Sequence, residues 1–187
     1  APWGTPTCRS QPTRNSRRHR FRAPSTSTSS SISTGVSAAA PTLGADGRAL
    51  PRAYKIGSRE AEQLPFRMLD AVNALRGASA LTPLALDSQL TAAAATHSRD
   101  MQVQNRPWHF GSDGSSPVDR VQRVGFAGSL VGEVISETYE TELETLGAWM
   151  EKPDTRRILM APEGRRMGFS WYQEENGKIW WTLVIGN

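Results

Sequence analysis

Apolar residues recur at helical spacing from Pro65 onward. Phe66, Leu69, Val72 and Leu75 share one helix face, and Gly77 is placed to end the helix. A second helix is expected to open on Asp87, a good N-cap, and to run to about Gln104. Its stripe is Leu90, Ala94, His97 and Met101, and the alanine-rich run among them favours a close neighbour. A third, short helix is signalled by Ser116 as cap and Pro117 at the first helical position, with Val118, Val121 and Val124 inward and Gly125 ending it. The fourth is expected from about Thr138 to Met150. Glu140, Glu142 and Glu144 crowd the end where the helix dipole favours acids, and Leu143, Leu146 and Trp149 form the buried stripe.

Toward the C-terminus the period changes to two. Met167, Phe169 and Trp171 alternate with small or polar residues, as do Ile179, Trp181, Leu183 and Ile185. Between the two runs lies Asn176-Gly177, a strong signal for a two-residue hairpin turn. Helices first and a closing antiparallel hairpin point to an α+β layered domain.

The first 50 residues have no such pattern. Arg, Pro and Thr give way to a Ser/Thr/Ala-rich stretch that cannot bury enough apolar surface to offset chain entropy, so residues 1–50 are expected to be disordered and 51–187 to form the domain. No acid occurs before Asp46, and six arginines lie between Arg9 and Arg22. Without those six, the formal net charge of +4 becomes −2, so the basic character belongs to the leader. A run such as Arg17-Arg18-His19-Arg20 attracts any polyanion through counterion release. No helix-turn-helix, zinc-finger or RNA-binding motif accompanies it, so no specific nucleic-acid partner is expected. An Arg-rich, Ser-rich, acid-free leader also has the composition of an organellar transit peptide, and no secretory signal peptide is visible. No apolar run is long enough to span a membrane as a helix. The single cysteine, Cys8, permits neither an intrachain disulfide nor a cysteine metal cluster.

Three stretches, in order and in register, carry a family resemblance. LDAVNALRG followed by LTPLALDSQLTAAAATHSRDM presents Asn73, Arg76, Pro83, Leu84, Leu90, Ala94, His97, Ser98 and Met101 at matching places. HFGSDGSSPVDRVQRVGF and then Gly132-Glu133 form the second. The end of the Trp149 helix, Met167-Gly168-Phe169 and IWWTLVIG form the third. Together they resemble the CAP superfamily (cysteine-rich secretory proteins, antigen five, pathogenesis-related proteins), and within it the bacterial, cysteine-free branch. The resemblance implies an α-β-α sandwich, a central antiparallel sheet with helices on both faces. It also implies an extracellular or periplasmic location.

In that family a cleft is lined by two histidines and two acids, and some members hold a divalent metal there. His109 and Glu133 occupy two of those places. Neutral imidazole and carboxylate are both good zinc ligands, but two alone make a poor site. The other places depart from the family. Thr155 stands where bacterial relatives have a histidine, Val134 replaces the asparagine of Gly-Glu-Asn, and Trp180 lies where eukaryotic members have histidine. A second acid could come only from Glu137 or Glu151. No cofactor is therefore expected beyond weak binding of a divalent metal such as zinc. His109 is either a ligand-contacting group or a half-buried histidine that ties two loops through Glu133. His97 reads as a satisfied core histidine, and Asp113-Gly114-Ser115-Ser116 as a turn into a helix cap. Trp171, Trp180 and Trp181 alternate faces of a strand, which places at least one in the core and leaves another for the cleft.

No serine lies in a nucleophile elbow, and no phosphate loop, dinucleotide fingerprint or HExxH pattern occurs. The expected function is a monomeric, non-catalytic binding module for a lipid, sterol, peptide or cell-envelope ligand in a cleft around His109 and Glu133. A peptidase-like hydrolase, with His109 as general base and Glu133 orienting it, is the alternative. Polyanion binding through the leader is a third.

Overall fold

The computed structural model describes residues 54–138 and 140–187. The expected disorder of residues 1–50 lies outside them. Five helices and four strands follow in the order α1 (Ser58–Ala78), β1 (Ala85–Leu86), α2 (Ser88–Gln104), α3 (Pro117–Arg123), β2 (Leu130–Thr138), α4 (Glu142–Glu151), α5 (Pro153–Leu159), β3 (Arg166–Gln173) and β4 (Ile179–Gly186). The sheet order is β1-β3-β4-β2. β2, β4 and β3 are antiparallel, and the two-residue β1 joins the edge in parallel.

β4 is buried along its whole length because helices cover both faces of the sheet. Ile179, Trp181, Leu183 and Ile185 face one core, with Leu64, Met68 and Val72 of α1, Leu146 and Trp149 of α4 and Leu159 of α5. Val184 faces the other, with Leu90, Ala93 and Ala94 of α2 and Val121 of α3. The expected α-β-α sandwich is the observed fold. Its small residues set the distance between layers. A Cβ on Gly168 of β3 would lie 2.1 Å from the Leu90 carbonyl carbon and 2.3 Å from the Thr91 nitrogen, so α2 can rest on the strand only at a glycine.

α2 and α3 match their sequence signals. Asp87 accepts hydrogen bonds from the Gln89 and Leu90 amides, and Ser116 and Asp119 form a reciprocal capping box with Pro117 at the first helical position between them. Three expectations need correction. Helix α1 starts seven residues before Pro65, and its buried ridge is Leu64, Met68, Val72 and Arg76, so Phe66 and Leu75 are exposed. Hydropathy rejects Arg76, yet this residue is fully buried. Its guanidinium donates to the carbonyls of Thr82, Leu159, Ala161 and Gly164, and so needs no carboxylate. Val118 of α3 is also exposed. Residues up to Thr138 belong to β2, and α4 begins after Thr141, which forms its own capping box with Glu144. There Glu142, not Leu143, is buried, because Arg67 pairs with it at 2.8 Å.

The expected closing hairpin forms, with Phe169 opposite Leu183 and Trp171 opposite Trp181. Its turn is one residue longer than expected. Glu174 N–H donates to the Lys178 carbonyl and Gly177 N–H to the Glu174 carbonyl, with φ +95° at Gly177 alone. Asn176 keeps a negative φ, which excludes the type I′ geometry of a two-residue loop. Trp180 and Trp181 are both fully buried and Trp171 is partly buried, so none of the three is an exposed cleft residue.

Candidate functional site

Four elements deliver one polar cluster on the α2 side of the sheet. Asn105 ends α2 in the left-handed conformation (φ +49°), turning the chain into the loop that carries Trp108 and His109. The loop closes on itself through Gly111 N–H to the Ser115 carbonyl, and Asp113 accepts from the Ser115 amide in the expected turn. α3 then presents Arg120, β2 presents Glu133 and α2 presents His97.

Glu133 is the centre. Its side chain is only 2% exposed, and Arg120, itself 3% exposed, donates to Oε1 at 2.9 Å and Oε2 at 2.8 Å. The same guanidinium donates to the carbonyls of His109 and Ser115, both at 3.0 Å. His109 Nδ1 lies 2.9 Å from Glu133 Oε1. A carboxylate only accepts, so this nitrogen carries the hydrogen, and the imidazole is 48% exposed. The two residues singled out from sequence are thus in direct contact, but Glu133 sits inside the protein and does not line an open cleft.

His97 is fully buried, with Nε2 2.9 Å from the Trp108 carbonyl and 3.5 Å from Glu133 Oε1. Both neighbours accept, so Nε2 holds the hydrogen and Nδ1 has no partner among the described residues. Burial pushes the His97 pKa down, and the attraction of Glu133 recovers only part of that. For Glu133, burial raises the pKa, but the His109 hydrogen bond and the Arg120 guanidinium outweigh it and hold the carboxyl below its ordinary range. Acid should therefore destabilise the domain in two stages. A histidine depressed in the folded state begins to cost stability as pH falls below its unfolded value of about 6.5. A depressed carboxyl contributes fully above about 4.3, and its contribution is lost as pH falls through the lower folded value. Urea denaturation between pH 8 and 3 checks this, and His97→Gln should remove the upper stage alone. A flat profile between pH 7 and 5 in the parent would contradict the neutral, buried His97.

Other candidates lie elsewhere. The Thr155 hydroxyl, in α5, donates to the Trp149 carbonyl of α4. Glu137 is four residues along β2 from Glu133 and pairs with Lys178 at 2.9 Å, and Glu151 is exposed at the end of α4. The residue missed from sequence is Arg120. It stands in the Asp-Gly-Ser-Ser-Pro-x-Asp-Arg segment, but nothing in a linear pattern says that this arginine turns inward. Among the described residues, no group of three or more His, Cys, Asp or Glu side chains is placed to hold a metal ion.

A three-layer α-β-α domain with a buried carboxylate locked beneath its longest loop is the class defined by this fold and cluster. The model of the CAP family, cysteine-rich secretory proteins, matches residues 69–185. The chain belongs to that family. The uncharacterized protein YkwD of Bacillus subtilis (strain 168) is 29% identical over 120 residues, which are 64% of this chain and 46% of that protein. The chain thus spans about half the length of that relative. Among solved structures, an outer surface protein of Borrelia burgdorferi aligns with TM-score 0.63 at 16% identity, covering 73% of this chain and 98% of that one. An extracellular protein of Bacillus anthracis containing an SCP domain aligns with TM-score 0.61 at 23% identity, over 72% of this chain and 45% of that one. These likenesses show a shared fold.

Proposed function

We propose that the chain is a non-catalytic binding module working outside the cytoplasm, in the medium or at the cell envelope. Its setting is supported by the names of its structural relatives, one an outer surface protein and one extracellular. The absence of catalysis is supported by one observation above all, the two hydrogen bonds from Arg120 that occupy both oxygens of Glu133. The pair is thereby tied to a buried guanidinium, and among the described residues His109 bonds no hydroxyl or thiol that it could activate as a general base.

The same contacts argue against zinc. The metal would have to displace Arg120 from Glu133, and His109 already spends Nδ1 on that carboxylate, leaving one imidazole nitrogen as the free donor. We therefore propose that the cluster needs no metal and acts as a clamp under the loop, with His109 as its exposed edge. A peptide or envelope ligand can reach that edge. A lipid would have to seat its chain elsewhere, and the apolar surface for it is a groove of about 450 Å³ between α1 and α4, lined by Ala71, Ala74, Leu75, Leu143 and Leu146.

The test is turnover. Purified protein, with and without added zinc, is incubated with a mixed peptide library and with short-chain esters, beside His109→Ala. Neither protein should convert substrate, and calorimetric zinc titration should show no saturable site. Conversion by the parent that disappears in His109→Ala would overturn the non-catalytic reading in favour of a hydrolase.

A further inference from the structure

Three carbonyls in a row are held beneath the loop by side chains of α2 and α3. His97 Nε2–H donates to the Trp108 carbonyl at 2.9 Å, Arg120 to that of His109 at 3.0 Å and Gln104 to that of Phe110 at 3.1 Å. Gln104 also accepts from the Trp108 indole at 2.7 Å, so one amide grips the residues on both sides of His109. We propose that His109 is thereby fixed as a hydrogen-bond acceptor, and that this edge binds a peptide through a backbone N–H donated to Nε2. The inference rests on the binding-module reading and names the group that its ligand must offer.

Three observations carry it. The first is the tautomer. Glu133 has both oxygens on Arg120, and its carboxyl is held in the ionised form, so it can only accept. His109 Nδ1, 2.9 Å from Glu133 Oε1, therefore carries the hydrogen. In the neutral ring this leaves Nε2 with a bare lone pair.

The second is direction. In an imidazole, Nε2 lies on the edge of the ring opposite Nδ1. Here Nδ1 points inward at a carboxylate side chain that is 2% exposed, while the His109 side chain is 48% exposed. The exposed half of the ring is the edge that holds Nε2, and this nitrogen has no partner among the described residues. The three held carbonyls keep the backbone from turning that edge away.

The third is what the clamp can give in return. Its donors are taken inside the protein. The terminal nitrogens of Arg120 serve Ser115, His109 and Glu133, and the Gln104 amide serves Phe110 and Asp100. A backbone N–H only donates, and a lone pair is all that it needs. A sugar hydroxyl accepts as well as donates, and these residues have no donor left for it. A carboxylate or a phosphate dianion has no hydrogen to give to Nε2.

The experiment observes the full chain, isotopically labelled, by NMR at pH 8. The His109 ring should show a protonated Nδ1 and a bare Nε2, and a hydrogen on Nε2 instead would overturn the proposal. Three probes are then titrated: acetyl-Ala-Ala-Ala methylamide, the same peptide methylated at every amide nitrogen, and methyl glucoside. Binding is followed at the Gly111 amide, and a saturable shift is expected with the first peptide alone. His109→Phe keeps a flat ring without the lone pair and should weaken that binding about fivefold, the loss of one hydrogen bond. Absence of any shift overturns the proposal. So does equal binding of the methylated peptide, binding of the glucoside in place of the peptide, or indifference to His109→Phe. Mass spectra of the peptide from the same samples separate the two readings. Cleavage would sink the non-catalytic reading and leave the acceptor edge, whereas an uncut, unbound peptide would remove only the edge.

Discussion

Arg120→Ala lowers the stability of the domain by about 3–5 kcal/mol, the cost of breaking a buried ion pair from one side. The substitution strands Glu133, whose side chain is 2% exposed, and takes donors from the carbonyls of His109 and Ser115 as well. Against a total of about 5–15 kcal/mol for an ordinary domain, that is a large fraction. The loss comes mainly from an uncompensated charge, so removing the charge should recover much of it. Arg120→Met combined with Glu133→Gln is expected to be clearly more stable than Arg120→Ala alone. Urea denaturation of the three proteins is the measurement. A loss under about 1 kcal/mol for Arg120→Ala would mean that water reaches the pair, as at an exposed salt bridge, and the closed clamp would have to be abandoned.

Trp181→Ala should cost a similar amount, about 3–5 kcal/mol, for a different reason. The ring is fully buried in the larger core, stacked on Phe169 at 5.7 Å with planes 9° apart and tilted against Trp171 at 6.2 Å. Deleting it leaves a cavity between the sheet and the layer of α1, α4 and α5. Its indole N–H has no partner among the described residues, so Trp181→Phe removes an unsatisfied donor together with part of the volume and should cost less than about 1.5 kcal/mol. A loss well above about 1.5 kcal/mol for Trp181→Phe would show that the N–H is bonded in solution. A near-neutral Trp181→Ala would place the ring at a surface.

Local chemistry made much of the fold legible. Asp87 and Ser116 announce helix starts because a short polar side chain can satisfy free amides two or three residues on, whatever the rest of the chain does. The alternation through β3 and β4 announces a hairpin because period two belongs to the strand itself. The α1 and α4 faces differ from the hydropathy pattern where burial does not follow it. Arg76 and Glu142 are inside because carbonyls and Arg67 come to them from other elements, while Phe66 and Leu143 are left outside.

The same division runs through the candidate site. Sequence by itself determined that His109 precedes a turn-and-cap segment, that Glu133 follows a glycine and that no cysteine lies between residues 51 and 187. It also determined, through three spaced motifs, the family to which the chain belongs. Only the tertiary structure decided what Glu133 touches. Its partners come from α2, α3 and the loop between them, 13 to 36 positions away in the chain, so their convergence depends on how the helices pack on the sheet. Burial then settles the character of the site. A carboxylate out of water requires a cation, the nearest is Arg120, and once that pair forms the residue expected to line an open cleft becomes the anchor beneath it.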